Sequence, residues 1–325
     1  MLTPLNSKDN TPMDDTRLLT RIALLYYKVG LTQAEVATRL GLSRQTVGRH
    51  LKRAEALGLV EVQIHSPYLV SAERDHRLEE TFGLVEAVVA QPPASTPEAI
   101  KEAIGAAGAE FLQRRVQPGD VIGVSWSSTV LECAMHLERT ESRRVTVVQM
   151  NGSLDRTAYS TRAEFTVDRI AKAFDGEAIT VVVPMMVDRP EIKDSLMSDS
   201  RVAAALDLAG RADIAVFGVG NVSESSSLFK AGYLNQEMLD RLNERQAIGD
   251  ICGRFFDAHG RVAVPEFDER TMAVPLDRLR SVKLSVAMAG GPEKVDALLG
   301  VLRGGLCKAL VTDEDTANAL LASGG

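Results

Sequence analysis

Leu31 to Leu51 reads LTQAEVATRLGLSRQTVGRHL, and its punctuation decides the first domain. Thr32, with Glu35 three residues on, has the spacing of a capping box, which opens a helix. Val36, Ala37 and Leu40 give that helix an apolar face. Gly41 permits a left-handed turn that a Cβ would oppose, and small Ala37 stands four residues before it, where two helices must approach closely. Ser43 caps the next helix, whose Val47 and Leu51 turn inward. Upstream, Leu18, Ile22, Leu25 and Tyr26 recur at helical spacing until Gly30. Downstream, Gly58 stops the third helix, and Leu59 to Ile64 alternates apolar with polar like a short strand or wing.

Two short helices joined by a glycine turn form a helix-turn-helix. The exposed face of the second carries Arg44, Gln45, Thr46, Arg49 and His50. Arginine pairs bidentately with guanine and glutamine with adenine, and the first turns of such a helix reach base edges. Arg44, Gln45, Thr46 and Arg49 are the expected base readers. Gln33, Lys52 and Arg53 are placed for phosphates, and Tyr26, Ser43 and His50 complete the expected DNA-binding set. Charge agrees with this reading. Residues 16–58 hold eight Lys or Arg against two Glu, a net +6, and the rest of a chain totalling −7 therefore carries −13. A basic module on an acidic body has a polyanionic partner for the module alone.

The chain's 325 residues exceed one small domain. The reading is a disordered polar arm over 1–15, a DNA-binding domain over 16–65, a linker or connecting helix over 66–80 and an effector-binding, oligomerising domain over 81–325. No apolar run reaches the roughly 18 residues needed to span a bilayer, so no membrane partner is expected. Cys133, Cys252 and Cys307 are widely spaced, which suits a reducing cytoplasm better than a disulfide framework.

Beyond residue 80, apolar runs at 86–90, 121–125, 145–150, 179–184, 214–218, 283–289 and 309–312 alternate with helical patterns. That order predicts a doubly wound α/β domain with a parallel sheet covered on both faces. Ligands of such sheets bind beyond the carboxyl ends of the strands. There stand Ser125-Trp126-Ser127-Ser128-Thr129, Asn151-Gly152-Ser153, Gly218-Val219-Gly220-Asn221 and Gly290-Gly291-Pro292. Hydroxyls and free N–H groups at a helix start cradle an anion, which assigns Ser125 to Thr129 to a phosphate. Four strand ends with small residues favour a shared pocket.

Several chemistries are excluded. Gly218-Val219-Gly220 lacks the third glycine of a dinucleotide fingerprint and a well-placed acid after it. Gly123-Val124-Ser125-Trp126-Ser127 lacks the last glycine of a nucleophile elbow. None of His50, His65, His76, His136 and His259 pairs at metal-ligand spacing. No cofactor and no metal are expected. A sugar-phosphate isomerase with an appended DNA-binding module is the competing reading. It needs an acid–base pair near the ligand, and Asp250 has no partner His or Glu at the strand ends.

The chain resembles the SorC family of bacterial sugar-responsive transcription regulators, also called the sorbitol-operon or central glycolytic regulator family. The resemblance rests on Tyr26-Tyr27, Leu31-Thr32-Gln33, Glu35-Val36-Ala37, Leu40-Gly41-Leu42-Ser43-Arg44 and Gly58-Leu59-Val60 in the first domain. In the second it rests on Gly123-Val124-Ser125-Trp126, Val148-Gln149-Met150-Asn151-Gly152, Gly218-Val219-Gly220, Gly249-Asp250-Ile251-Cys252-Gly253, Ala289-Gly290-Gly291 and Leu310-Val311-Thr312-Asp313-Glu314. It implies a sensor fold related to sugar-phosphate isomerases and CoA transferases, a sugar, sugar-phosphate or polyol effector, and a homodimer or tetramer on an operator. It implies that Ser125, Ser127, Ser128 and Thr129 hold a phosphate, beside Gly123 and Trp126. Asn151, Gly218, Gly220, Asp250, Gly290 and Gly291 then line the sugar side, and Lys308 adds positive charge near the phosphate. Some relatives capture an aldehyde sugar on a lysine near the strand end occupied here by residues 148–153, where this chain has none.

Overall fold

The computed structural model of the chain describes residues 12–61, 69–140, 143–153 and 162–324. Its contacts divide into two units, Met1–Leu69 and Val70–Gly325. Among the described residues the first unit holds three α-helices: α1 (Pro12–Ala23), α2 (Gln33–Leu40) and α3 (Arg44–Ala56). Residues 12–15, read as part of a disordered arm, begin α1, and 1–11 lie outside the described residues. A π-helical turn, Leu24–Lys28, continues α1, with Val29 N–H donating to Leu24 O at 3.0 Å. The capping box forms as spaced: Glu35 N–H donates to Thr32 Oγ1 at 3.3 Å, and Thr32 N–H to Glu35 Oε2 at 2.7 Å. Gly41 has φ +68°, and Leu42 N–H reaches back to Ala37 O at 2.9 Å. Ile22, Val36, Val47 and Leu51 close the core of the bundle. Leu59–Glu61 form no strand, and the rest of the expected wing lies outside the described residues.

The second unit opens with α4 (Leu69–Phe82), so the segment read as a linker or connecting helix is helical over its described residues, 69–80. This helix is part of the larger unit because its polar face is spent on the sheet. Its Leu78 is fully buried in the core, and Asp75 Oδ1 and Glu79 Oε1 accept the N–H groups of Val89 and Ala87 at 2.9 and 3.0 Å. Those donors belong to an edge strand, and covering them removes a template for stray pairing.

Among the described residues the main sheet has seven parallel strands: β1 (Glu86–Ala90), β2 (Val121–Val124), β3 (Thr146–Gln149), β4 (Glu177–Ile179), β5 (Ile214–Phe217), β9 (Leu284–Met288) and β10 (Ala309–Asp313). Between β5 and β9 the chain makes a small antiparallel sheet of β6 (Gly220–Asn221), β7 (Gly249–Ile251) and β8 (Arg254–Phe256). The main order is β1-β10-β9-β5-β2-β3-β4. Six of the seven apolar runs supply one strand each. The run at 179–184 is the one displaced: pairing stops at Ile179, and the Gln149 side-chain amide takes over, accepting Val181 N–H at 3.3 Å. Pro184, without an N–H, cannot extend a ladder.

Alternate residues feed two cores, as a strand's period of two requires. Val148, Met150, Phe217 and Leu310 pack on one face. Val147, Val216, Met288 and Val311 pack on the other, with Phe111 and Leu112 of α5 (Pro97–Arg115). From β2 the chain proceeds outward through β3 and β4. From β5 it proceeds the other way, through β9 and β10. The direction reverses between β2 and β5, so a crevice opens above their carboxyl ends.

Candidate functional site

On the first unit, Ser43 Oγ accepts Thr46 N–H at 3.1 Å and starts α3. Arg44, Gln45 and Arg49 are exposed along it, while Thr46 and His50 are half-buried. Arg49 donates to Thr46 Oγ1 at 3.4 Å. Gln33 lies against this helix, its Oε1 3.5 Å from where a Cβ on Gly48 would stand. Lys52 is exposed. Arg53 pairs with Asp15 at 2.8 Å, so a phosphate would have to compete with that carboxylate. Tyr26 is half-buried: it packs against the bundle core and edge-on to Tyr27, with ring centroids 4.9 Å apart. The exposed ring of the pair is Tyr27. Its hydroxyl is bonded to Glu55, and that bond, with burial, pushes its pKa up to about 12.

On the second unit, a cavity of about 400 Å³ opens at the predicted switch point. Ser125 to Thr129 line it after β2, Asn151 after β3, Gly218 and Gly220 after β5, and Gly290 and Gly291 after β9. Asp250 enters from β7. Two expected residues are absent from the wall. Gly123 lies inside β2, where a Cβ would stand 3.1 Å from Met150 Cγ, so its smallness serves core packing. Lys308 precedes β10 and therefore sits at the amino end of a parallel strand, the edge opposite the cavity, with its amine bonded to Val282 O.

The anion cradle is the start of α6 (Ser128–His136). Ser127 Oγ accepts Val130 N–H at 3.2 Å, which caps the helix, and Ser128 and Thr129 present hydroxyls at the positive end of its dipole. Ser125, buried, accepts Gly218 N–H at 3.3 Å. A Cβ on Gly218 would stand 2.3 Å from Ser127 Oγ, so only glycine lets β5 end this close to the cradle. Trp126 forms a wall: its indole N–H donates to Gly152 O at 3.1 Å, and its ring faces Tyr233.

The opposite side is built for hydroxyls. Asp250 is buried, with Oδ2 accepting Gly253 N–H at 3.0 Å. Burial pushes its pKa up to about 6, against the pull of that N–H and of Lys294. Asn151 is 1% exposed, and its Oδ1 has no hydrogen-bond partner among the described residues. A buried acceptor left empty costs on the order of 1–3 kcal/mol, which a ligand hydroxyl would recover. Cys252 and Gly253 turn the β7–β8 hairpin with φ +56° and +76°, the pair of positive angles of a type I′ turn. Such a φ is strained for Cys252, whose thiol burial pushes up to about 12. Below the hairpin, buried Arg254 pairs with Asp268 and donates to Val274 O at 2.9 Å and Ala273 O at 2.6 Å. It thereby ties the hairpin to the segment that faces Asn151 at Ala273.

Sequence reading missed the cavity's cations. Lys294 follows the Gly290-Gly291-Pro292 turn and donates to Asn221 Oδ1 at 3.3 Å, its amine held below the usual ammonium value chiefly by burial. Lys101 and Lys230 also line the space. The turn after β9 was legible, and extending it by two residues finds Lys294. Among the described residues no cluster of His, Cys, Asp and Glu is arranged to hold a metal, and no helix is long and apolar enough to cross a membrane.

Known proteins match both units. The family described as "Putative sugar-binding domain" matches residues 66–322, and the MarR family matches 22–67. The deoxyribonucleoside regulator of Bacillus subtilis is 33% identical over 299 residues, covering 92% of this chain and 95% of that one. The sorbitol operon regulator of Klebsiella pneumoniae is 33% identical over 310 residues, covering 95% and 98%. The crystal structure of that full-length regulator superposes with a TM-score of 0.73, covering 95% of this chain and 99% of that chain. The chain thus belongs to the SorC family of transcriptional regulators, with an N-terminal helix-turn-helix domain joined to a parallel-sheet α/β sugar-binding domain.

Proposed function

We propose that the protein reads an operator through Arg44, Gln45, Thr46 and Arg49, and that a phosphorylated sugar or polyol in the cavity resets its affinity for that operator. One observation carries the effector reading. The start of α6, with Ser127, Ser128 and Thr129, forms one wall of a cavity whose other walls carry the carboxyl of Asp250 and the empty acceptor of Asn151. An anion-binding end joined to a hydroxyl-binding end fits a sugar phosphate. The relatives' names support sugar and nucleoside chemistry in this family.

The protein binds its effector without transforming it, acts in the cytoplasm, and works as a homodimer or tetramer. The last follows from DNA geometry, since one recognition helix reads a few base pairs and paired half-sites lie about 34 Å apart. The three cysteines are free and buried, in keeping with a reducing compartment.

A thermal-shift panel of free and phosphorylated sugars and polyols, followed by operator titrations with each hit, tests the reading. Stabilisation by one phosphorylated sugar and not by its free form, together with a changed operator affinity, is the expected result. Stabilisation by free sugars alone removes the phosphate from the reading. Product formation from any hit would make the protein an enzyme.

A further inference from the structure

We propose that Lys101 is the residue that selects a phosphorylated effector over its free form, by supplying the full positive charge that the α6 cradle lacks. This rests on reading the cavity as the effector site, and it gives that site a discriminating residue which no strand-end motif contains.

The placement follows from helix packing. α5 and α6 follow β1 and β2, and the first turns of both line the cavity: Pro97, Ile100 and Lys101 from one, Ser128 and Thr129 from the other. The helices therefore run side by side in the same direction. They touch at Gly105, where a Cβ would stand 2.5 Å from Glu132 Cβ and 2.9 Å from Cys133 N. Four residues is about one helical turn. One turn back from Gly105 is Lys101, and one turn back from Glu132 is Ser128. The close contact at Gly105 thus sets Lys101 beside the anion-binding end of α6.

The side chain is also uncommitted. Lys101 is half-buried and has no hydrogen bond or ion pair among the described residues. Glu98 and Glu102, its nearest carboxylates in sequence, are exposed and do not line the cavity. A cation near the N-terminus of a helix opposes the helix dipole. Folding alone gives no reason for an unpaired, half-covered ammonium there, whereas a phosphate between it and the α6 N-terminus does. The cradle's hydroxyls and N–H groups accept either a sugar hydroxyl or a phosphate, and a fixed charge tells the two apart. Lys294 is occupied otherwise, bonded to Asn221 and facing Asp250.

Trp126 supplies the readout. It is the chain's one tryptophan and it lines the cavity, so its fluorescence reports occupancy there and not at the basic DNA-binding unit. Inorganic phosphate is titrated at constant ionic strength into the wild-type protein, Lys101→Met, Lys101→Arg and Lys308→Met. Expected are a saturable response in the wild type, a midpoint raised about tenfold or more in Lys101→Met, and near-wild-type midpoints in the other two. Lys101→Gln serves as a second neutral variant if Lys101→Met fails to fold. A saturable wild-type response that Lys101→Met leaves unchanged overturns the role of Lys101 while the cradle stands. No response in the wild type overturns the phosphate cradle, and the role of Lys101 with it.

Discussion

A Cβ added to Gly220 would stand 1.8 Å from Asp250 Oδ1. Gly220 pairs directly with Asp250 across β6 and β7, so neither backbone can yield without breaking the small sheet. Asp250 therefore enters the cavity through space that only glycine leaves open. Gly220→Ala is expected to turn the carboxyl away from its bond to Gly253 N–H. The cost in stability is about 1–3 kcal/mol, and effector binding falls by about tenfold or more. Urea unfolding and effector titration check the two effects. An unchanged effector affinity would show that Asp250 does not face the ligand.

The same carboxyl makes stability depend on pH. Its folded pKa of about 6 lies above the ordinary 3.8, so between these values the folded state holds a proton that the unfolded chain has released. For this group stability is full below about pH 3.8 and falls as pH rises from there through 6, by roughly 3 kcal/mol at full ionisation. Asp75 is raised to about 6 as well, chiefly by burial, and adds to the slope in the same window. Asp250→Asn is expected to flatten the decline between pH 4 and 6 without abolishing it. Parallel profiles for variant and wild type would sink this assignment.

Six strands of the main sheet were readable because each lies in an apolar run bounded by small or polar residues, whereas β4 begins on exposed Glu177 and shares only Ile179 with the run at 179–184. Their carboxyl ends could be named as the site for the same reason. The hairpin carrying Asp250 was not readable as strands: β6, β7 and β8 are two or three residues long, too short for any period. Lys308 and Lys294 show where the reading failed. Both flank strands in glycine-rich surroundings, but one precedes β10 and the other follows β9. In a parallel sheet that difference is the full length of a strand. Lys101 left no signal, since its position depends on the contact between α5 and α6 at Gly105, a tertiary fact. In the first unit, caps and turns are local, and Thr32, Glu35, Gly41 and Ser43 all fold as spaced.

Arg254 is 3% exposed, and its guanidinium satisfies carbonyls at Thr271, Ala273 and Val274 besides pairing with Asp268. Asp268 is 30% exposed and can be rehydrated, so removing the guanidinium chiefly leaves these carbonyls unbonded. Arg254→Met is expected to cost about 1–3 kcal/mol, read as a fall in the urea midpoint. Arg254→Lys should recover little of it, because a point-like ammonium cannot reproduce the fork. Full recovery by lysine would mean that charge alone holds the hairpin to the 268–274 segment.

Arg44 and Lys52 separate base reading from backbone attraction. Both are exposed on α3, but Arg44 is its first residue and Lys52 lies two turns on. If Arg44 pairs with a guanine edge, Arg44→Ala weakens operator binding by about 1–3 kcal/mol and flattens the preference at one base pair. Lys52→Ala weakens all sequences alike and reduces the salt dependence by about one unit of slope. Anisotropy titrations of operator and scrambled DNA at several salt concentrations measure both. If the two variants lost specific and non-specific affinity in equal proportion, α3 would be holding phosphates along its whole length, and base reading would have to be sought elsewhere on the first unit.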